Sequence, residues 1–214
     1  MRHFGLPLAK AGYPFIAAGW FLTVLFFWLA WVLPAIGAFL ATLFICYFFR
    51  DPERTVPNHQ RAVVAPADGR IIEAGRVENG PLHDKTCIKI SIFMSVFNVH
   101  VNRIPCDGKI THIEYRPGRF FSAYLEKASK RNEQNFISLE TTDGIRLCFV
   151  QIAGLIARRI LCSIKVGDSV ARGERFGMIC FGSRVDVYLP MDIDVNVSVG
   201  SRVKAGTSIL GYLR

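Results

Sequence analysis

Three polar residues lie in unusually apolar stretches of the chain, and their types are those that acid–base and nucleophilic chemistry uses. They are Asp68 in 63-VVAPADGRI-71, His100 in 92-IFMSVFNVHVNRIP-105 and Ser183 in 177-GMICFGSRVDVYLP-190. Each also has a purely structural interpretation. Asp-Gly and Gly-Ser pairs are common in turns, and a lone histidine among apolar residues is often a satisfied core residue. Taken one at a time, none of the three establishes a catalytic site.

The Gly182-Ser183 pair separates two apolar runs. Val185, Val187 and Leu189 follow it with the strict alternation of a half-buried strand. Glycine supplies a permissive backbone and serine a local hydrogen bond. The pair alone therefore predicts a turn or a bulge in front of a strand.

The N-terminal part of the chain has the composition of a membrane anchor. No charged residue occurs from Ala11 to Phe49, and the run is too long for one crossing because about 20 helical residues span the hydrocarbon core. Pro34 favours a break or turn inside it. The pattern predicts a helical hairpin with arms at about 12–33 and about 35–49, both of whose ends lie on one side. Whether this hairpin spans the membrane or lies within it stays open.

Two domains follow from this composition: a membrane-associated hairpin over 1–50 and a soluble domain over 51–214, which begins with the polar linker 51-DPERTVPNHQ-60. Basic residues flank the hairpin, which predicts that the soluble domain lies on the cytoplasmic side of the cell membrane. They are Arg2, Lys10, Arg50, Arg54 and Arg61. The net charge of +9 would hold the domain against anionic headgroups. Nucleic acid is not expected as a partner, because no helix carries a basic stripe with interleaved aromatic residues.

The six cysteines give no sign of a metal site or of redox chemistry. They form no C-x-x-C pair and no cluster with histidine at metal-ligand spacing. They are Cys46, Cys87, Cys106, Cys148, Cys162 and Cys180. We therefore expect reduced thiols, mostly buried, and no bound metal.

Short strands dominate the pattern of the soluble domain. Residues 88–94 alternate between apolar and polar, and 135–140 and 145–152 flank the hairpin signal 141-TTDG-144. Residues 120–134 are the only plausible helix or ordered polar loop in the domain. The soluble part is thus predicted to be mainly β, within an α+β chain.

Two internal sequence repeats refine this prediction. The segment 166-VGDSVARGERFG-177 resembles 199-VGSRVKAGTSILG-211, and 68-DGRI-71 resembles 107-DGKI-110. Repeated turn-strand units of this kind are typical of β-hammerhead and barrel-sandwich folds such as lipoyl and biotinyl carriers. A carrier needs an exposed lysine between its half-repeats, where this chain has Gly182-Ser183 instead. A non-catalytic, membrane-anchored β-sandwich binding module remains an alternative on these grounds.

Taken together, the motifs of the soluble part resemble the phosphatidylserine decarboxylase proenzyme family, specifically its short membrane-anchored members. The motifs that carry the likeness are 66-PADGRI-71, 93-FMSVFNVHVNRIP-105, 131-RNEQN-135, 151-QIAGLIARRI-160 and 174-ERFGMICFGSRVDVYLP-190. Their order and spacing are highly specific and cover essentially the whole soluble part.

The resemblance implies that the chain cuts itself between Gly182 and Ser183. The larger fragment (β chain) would be 1–182 and the smaller fragment (α chain) 183–214. Ser183 would become an N-terminal pyruvoyl group, the covalent cofactor whose ketone serves as an electron sink when the serine headgroup loses carbon dioxide. Glycine before the serine leaves the carbonyl open to attack by the hydroxyl, which needs a base and oxyanion donors.

The resemblance also assigns roles to residues. Ser183, His100 and Asp68 match catalytic positions, and His100 is the candidate acid that protonates the carbanion. Longer bacterial members have a second histidine, the partner of the aspartate and the serine in self-cleavage, where this chain has Arg103, and an aspartate where it has Asn98. Arginine is a poor base. Either His100 serves both steps with Asp68, or another group activates Ser183.

Weaker matches suggest contacts with the substrate. The residues concerned are Arg103, Asn132, Glu133 and Arg158. The guanidinium groups suit phosphate or carboxylate, whereas the role of the Asn-Glu pair does not follow from its chemistry.

The implied reaction converts the membrane lipid phosphatidylserine to phosphatidylethanolamine. A serine headgroup on an ether lipid, as in archaetidylserine, would present the same group to the site, so the sequence does not separate the two substrates. The oligomeric state, a homo-oligomer included, also stays open.

Overall fold

The computed structural model describes residues 7–78, 80–82, 86–118, 132–154, 160–180 and 182–214, and the chain divides into two units between Glu53 and Arg54. The N-terminal unit contains two apolar helices, α1 (Tyr13–Trp28) and α2 (Val32–Phe48). A stretch from Lys10 to Trp28 is long and apolar enough to cross a membrane, and α2 is a shorter helix of the same character. The predicted hairpin is confirmed as a pair of packed helices.

The turn of the hairpin does not lie at Pro34, where the sequence placed it. The chain reverses between the two helices at Ala30, which adopts a φ of 57°. Pro34 belongs to the first turn of α2, where a residue without an N–H costs no helical hydrogen bond. The proline therefore lies within the first turn of the second helix and interrupts neither helix.

The two helices approach closely where the side chains are small. A Cβ on Gly19 would collide with the side chain of Thr42, which is fully buried. At the open end of the hairpin, the Ala9 amide donates to the Phe49 carbonyl at 2.7 Å and closes the base. Both ends of the hairpin consequently lie on the same side, while large apolar side chains such as Phe27 remain exposed.

The second unit, Arg54–Arg214, is built from fourteen described strands. They are β1 (Ala62–Val64), β2 (Gly69–Glu78), β3 (Thr86–Met94), β4 (Val101–Arg103), β5 (Gly108–Arg116), β6 (Gln134–Glu140), β7 (Arg146–Ile152), β8 (Ile160–Cys162), β9 (Ser169–Val170), β10 (Arg175–Ile179), β11 (Ser183–Leu189), β12 (Asp194–Val195), β13 (Arg202–Val203) and β14 (Ile209–Tyr212). The prediction of a mainly β domain with turn-strand repeats is confirmed.

These strands form three antiparallel sheets. The largest has eight strands in the order β13-β2-β3-β11-β7-β6-β5-β9, and the smaller two have the orders β1-β14-β12 and β4-β10-β8. One continuous hydrophobic core contains the inward residues of all three sheets, including Ile92, Phe149, Phe176 and Val187. Burial of these branched and aromatic side chains is the main source of stability for a domain of this kind.

The hairpin predicted around 141-TTDG-144 is present. Strands β6 and β7 pair from Gln134↔Ile152 to Glu140↔Arg146, and Gly144 takes a φ of 77° in the turn between them. Most of the segment 120–134, for which a helix or ordered loop was predicted, lies outside the described residues.

The two internal sequence repeats correspond to a repeat in the structure. Strand β13 pairs with the start of β2 at one edge of the large sheet, and β9 pairs with the start of β5 at the other edge. Equivalent glycine amides make the same backbone bonds in both copies at 2.8 Å: Gly206 to Ala65 and Gly173 to Ile104, Gly200 to Ile71 and Gly167 to Ile110. These four glycines all have positive φ, which explains why glycine recurs there.

Candidate active site

Ser183 occupies the first position of β11, the strand between β3 and β7. It pairs with Met94 and is fully buried. Alternate strand residues share a face, so Ser183 points to the same side as the core residues Val185 and Val187. Its hydroxyl donates to the Met94 sulfur at 3.3 Å. A thioether is a weak acceptor, so this contact orients the hydroxyl but cannot take its proton.

Gly182 precedes the strand in a conformation that favours glycine. Its φ is 60°, in the left-handed region that L side chains rarely adopt. Within the described part of the chain, and apart from its chain neighbours, no atom lies within 4 Å of a Cβ built on Gly182. Among these residues the backbone conformation, and not crowding, therefore selects glycine.

His100 lies directly before β4 and is fully buried. Its Nδ1 is 2.9 Å from the carbonyl oxygen of Asn98. A carbonyl only accepts hydrogen bonds, so Nδ1 carries the proton and Nε2 holds the lone pair of the neutral ring. The His100 carbonyl also accepts the Ile179 amide at 3.4 Å, which joins it to the strand leading into the Gly182–Ser183 peptide.

Asn98 itself is held in a short turn. Its side-chain oxygen accepts the amide of Ser95 at 2.9 Å and the Ser95 hydroxyl at 2.8 Å. Asn98 thus fixes the loop whose backbone carbonyl orients His100. Sequence reasoning missed this contribution because the backbone of Asn98 makes the contact.

Asp68 is buried and lies directly before β2. Its hydrogen bonds are with groups other than His100. One carboxylate oxygen accepts the Ala205 amide at 2.7 Å, and the other lies 2.8 Å from the Arg54 guanidinium. Among the described residues, no hydrogen bond joins Asp68 to His100. The ring of His100 is oriented by Asn98 in this uncleaved chain.

The repeat supplies a second copy of the Asp68 turn. Asp107 accepts the Arg172 amide at 2.8 Å, as Asp68 accepts the Ala205 amide. The side chain of Asp107 is 56% exposed, whereas that of Asp68 is 11% exposed and paired with Arg54. Both copies thus share the turn contact, and Arg172 also lies 4.0 Å from Asp107, so burial and the shorter ion pair are what distinguish Asp68.

The weaker candidates that the structure describes are held by hydrogen bonds to backbone groups. Arg103 is buried and donates to the Gly173 carbonyl at 2.9 Å. Asn132 donates to the Ala153 carbonyl at 2.7 Å, and the Ala153 amide donates to the Glu133 carbonyl at 3.0 Å.

Ala153 explains why the Asn132–Glu133 segment lies near the centre. Arg184 pairs with Ile152, so Ala153 is next in register to Ser183. The Glu133 carboxylate accepts a hydrogen bond from Tyr115, whose pKa is raised by burial and by this negative charge. Arg158, the fourth weak candidate, lies outside the described residues.

A network of buried charges covers the opposite face of β11. Arg184 forms a two-pronged pair with Asp186 at 2.6 and 2.7 Å, and both side chains are almost completely buried. Lys89 lies 3.8 Å from Asp186 and 2.7 Å from Glu73. Paired and hydrogen-bonded charges of this kind resist separation, because removing one partner leaves an uncompensated charge. The network holds the residues that follow Ser183 in place.

Within the described parts of the chain, no group of three His, Cys, Asp or Glu residues could hold a metal ion. The cysteines there are all free. Burial raises the pKa of Cys106 and of Cys148 to about 12, so both thiols stay protonated at neutral pH.

Similarity to known proteins shows the family to which the chain belongs. A family model described as phosphatidylserine decarboxylase matches residues 41–211. A protein of Geotalea uraniireducens named phosphatidylserine decarboxylase proenzyme is 48% identical over 213 residues, with 100% of both chains covered. Proteins of the same name from Syntrophus aciditrophicus (50% identical, 95% of this chain and 96% of the relative) and Syntrophotalea carbinolica (47% identical, 100% of both) are also similar. This chain belongs to the phosphatidylserine decarboxylase family.

Proposed function

We propose that the chain cuts its own Gly182–Ser183 peptide bond and that the processed protein decarboxylates phosphatidylserine to phosphatidylethanolamine. One observation carries the proposal: a fully buried serine stands at the first position of a central strand, directly after a glycine with a φ of 60°. The relatives named as decarboxylase proenzymes support both halves of it.

The self-cleavage requires no group from outside except water. The Ser183 hydroxyl adds to the Gly182 carbonyl carbon, and the carbon–nitrogen bond breaks, leaving an ester and a free amine. Loss of the Ser183 Cα proton then expels the serine oxygen with the Gly182 carboxylate. Water converts the remaining dehydroalanine to a ketone, and ammonia leaves. A base must first accept the hydroxyl proton.

His100 is the proposed base. Its Nδ1 proton is held by the Asn98 carbonyl, which leaves the Nε2 lone pair as the proton acceptor of the ring. Asp68 is proposed to stabilise the charged ring through its field, since it is buried, and charges interact strongly at low dielectric. The same imidazole, once charged, is the proposed acid that returns a proton to the substrate carbon.

The surroundings of Ser183 fit a ketone at this position. No described residue, apart from its chain neighbours, fills the side of Gly182 that a Cβ would occupy. An amide donor is close, because Asn102 Nδ2 lies 3.9 Å from the same Met94 sulfur that the Ser183 hydroxyl contacts. When formed, the pyruvoyl group supplies the electron sink for loss of carbon dioxide. We assign Asn132, Glu133, Arg103 and Arg158 to the substrate headgroup as the family motif implies.

The two fragments would stay associated after the cut. Residues 183–214 contribute β11 to the centre of the large sheet, β13 to its edge, and two of the three strands of the sheet β1-β14-β12. Separating them would break backbone hydrogen bonds along both sides of β11 and would remove Lys89 from the buried Asp186 carboxylate. The proposed enzyme is therefore a non-covalent pair of chains.

We further propose that the apolar hairpin attaches the protein to the cytoplasmic face of the membrane. Its lipid-compatible surface includes Phe27 and Leu33, which are 79% and 82% exposed. The basic residues that flank it favour the cytoplasmic side. This attachment would bring the domain to a substrate that resides in the bilayer.

The proposed function is tested with the purified full-length protein and Ser183→Ala. We expect two fragments from the wild type, divided after Gly182, and release of carbon dioxide from vesicles that contain phosphatidylserine. Ser183→Ala lacks the attacking hydroxyl, so it should remain one chain and release none. A wild-type chain that stays whole while active, or a cleaved Ser183→Ala, contradicts the proposal.

The proposed roles of His100 and Asp68 in self-cleavage are tested with variants of each residue. Because the domain is a repeat, Asp107→Asn is a matched control for Asp68→Asn. We expect His100→Ala to slow self-cleavage by about 10²–10⁴-fold, because general base catalysis is lost. Asp68→Asn should slow it too, since the amide keeps the turn contact but removes the buried charge. Asp107→Asn should cleave normally, as that charge is exposed.

Time courses of cleavage on denaturing gels provide the measurement. Normal cleavage of both His100→Ala and Asp68→Asn would show that the base lies elsewhere. Equal behaviour of the two aspartate variants would reduce Asp68 to a turn residue.

Membrane attachment is tested with Phe27→Lys/Leu33→Lys in the full chain. A lysine in the bilayer centre costs about 2.5–3.5 kcal/mol, so we expect much weaker flotation with anionic vesicles and lower activity on them. Self-cleavage should be unchanged, because its residues lie in the second unit. Val199→Lys, at a position 62% exposed in the β domain, is the control. Full vesicle binding by the double variant would show that the hairpin is not the anchor.

A further inference from the structure

Three buried amide side chains form a chain of hydrogen bonds near Ser183, and the proposed reaction gives two of them, Asn135 and Gln151, no role. Asn135 Nδ2 donates to Gln151 Oε1 at 3.0 Å, and Gln151 Nε2 donates to Asn102 Oδ1 at 2.9 Å. The three side chains are 3%, 0% and 0% exposed. Buried amides are costly unless paired, and here they pair with one another.

The orientation of Gln151 is fixed by its neighbours. Its Nε2 also donates to the Leu161 carbonyl at 3.3 Å, and a carbonyl can only accept. The nitrogen therefore faces Leu161 and Asn102, and the oxygen faces Asn135. Gly177 leaves room for this arrangement, because a Cβ there would lie 2.9 Å from Gln151 Nε2 and would collide with the Leu161 carbonyl.

The chain of amides joins two sheets. Asn135 on β6 and Gln151 on β7 belong to the eight-stranded sheet, whereas Asn102 on β4 and Leu161 on β8 belong to the sheet β4-β10-β8. Gln151 also pairs with Val185, two residues after Ser183. The amides thus connect the strand region that carries Ser183 to the strand that follows His100.

The chain ends at the atom that Ser183 contacts. Asn102 Nδ2 lies 3.9 Å from the Met94 sulfur, and the Ser183 hydroxyl lies 3.3 Å from the same sulfur. His100 is two residues before Asn102 on the chain. A hydrogen-bonded connection through Asn102 and Met94 therefore links the strand that follows His100 to Ser183.

We propose that Gln151, with Asn102 and Asn135, is a positioning residue that sets Ser183 at the correct distance from His100. The proposal rests on the self-cleavage proposed above. Proton transfer from a hydroxyl needs a geometry accurate to a fraction of an ångström, and a displacement of about 1 Å can cost about 100-fold in rate. A bond network that fixes one sheet against the other provides that accuracy.

Gln151→Met is the first test, because methionine has a similar length and removes every hydrogen bond of the amide. We expect self-cleavage to slow by about 100-fold. Ile137→Ala is the matched control: Ile137 is a buried core residue on β6 that makes no amide contact. It should lower the thermal unfolding temperature at least as much and still cleave at the wild-type rate.

The pH dependence of cleavage by Gln151→Glu distinguishes a positioning role from a merely structural one. A buried carboxyl has a raised pKa, and its protonated form can donate to Asn102 and accept from Asn135, whereas its ionised form can only accept. The cleavage rate of Gln151→Glu relative to wild type should rise as the pH is lowered and fall as it is raised. Gln151→Met should show no such relative pH dependence.

If Gln151→Met does not fold, Met94→Leu tests the proposal in its place, since cores tolerate this volume-conserving exchange. It removes the shared acceptor and should slow cleavage by about 10-fold or more. The inference is overturned if folded variants at Gln151 or Met94 cleave at the wild-type rate, or if their rates fall only in step with unfolding temperature, as in the control. An uncut wild-type protein would instead refute the proposed self-cleavage itself.

Discussion

The pairing of β11 with β3 on one side and β7 on the other is the constraint on which the proposed chemistry depends. Ser183 is the first residue of that ladder, and the peptide before it lies outside the ladder with Gly182 at a φ of 60°. The strand therefore fixes the proposed nucleophile, while Gly182, on the other side of the bond proposed to be cut, lies outside the ladder. Because β11 is central, the fold also keeps the new chain end in place after the bond is broken.

The repeat of the domain places two similar aspartates in different surroundings. Both Asp68 and Asp107 accept a backbone amide of the opposing turn, which is the shared structural role. Only Asp68 is buried and paired with Arg54. A buried carboxylate exerts a stronger field than an exposed one, which is why Asp68, and not Asp107, is the proposed partner of His100. The second copy remains an ordinary surface turn.

Much of the fold could be predicted from periodicity and turn chemistry. The β11 alternation, the β6–β7 hairpin and the repeated glycines all follow from local patterns, because each depends on the side chains that form it. The turn of the helical hairpin could not, since a proline suits the first turn of a helix as well as a break. At the candidate site, the motifs predict Ser183, His100 and Asp68, and their catalytic roles stay predictions. The contacts of His100 with the Asn98 carbonyl, and of Gln151 with Asn102, could not, because backbone carbonyls and inter-sheet amide pairs leave no signature in sequence spacing.

The central claim is that the Ser183 hydroxyl, and not water or a protease, cuts the chain. The serine oxygen should then remain on Gly182, whereas hydrolysis would place a solvent oxygen there. Synthesis and self-cleavage of the protein in water enriched in heavy oxygen, followed by mass spectrometry of the C-terminal peptide of the 1–182 fragment, distinguishes the two routes. The account predicts an unlabelled Gly182 carboxylate. A heavy oxygen at that carboxylate would contradict it.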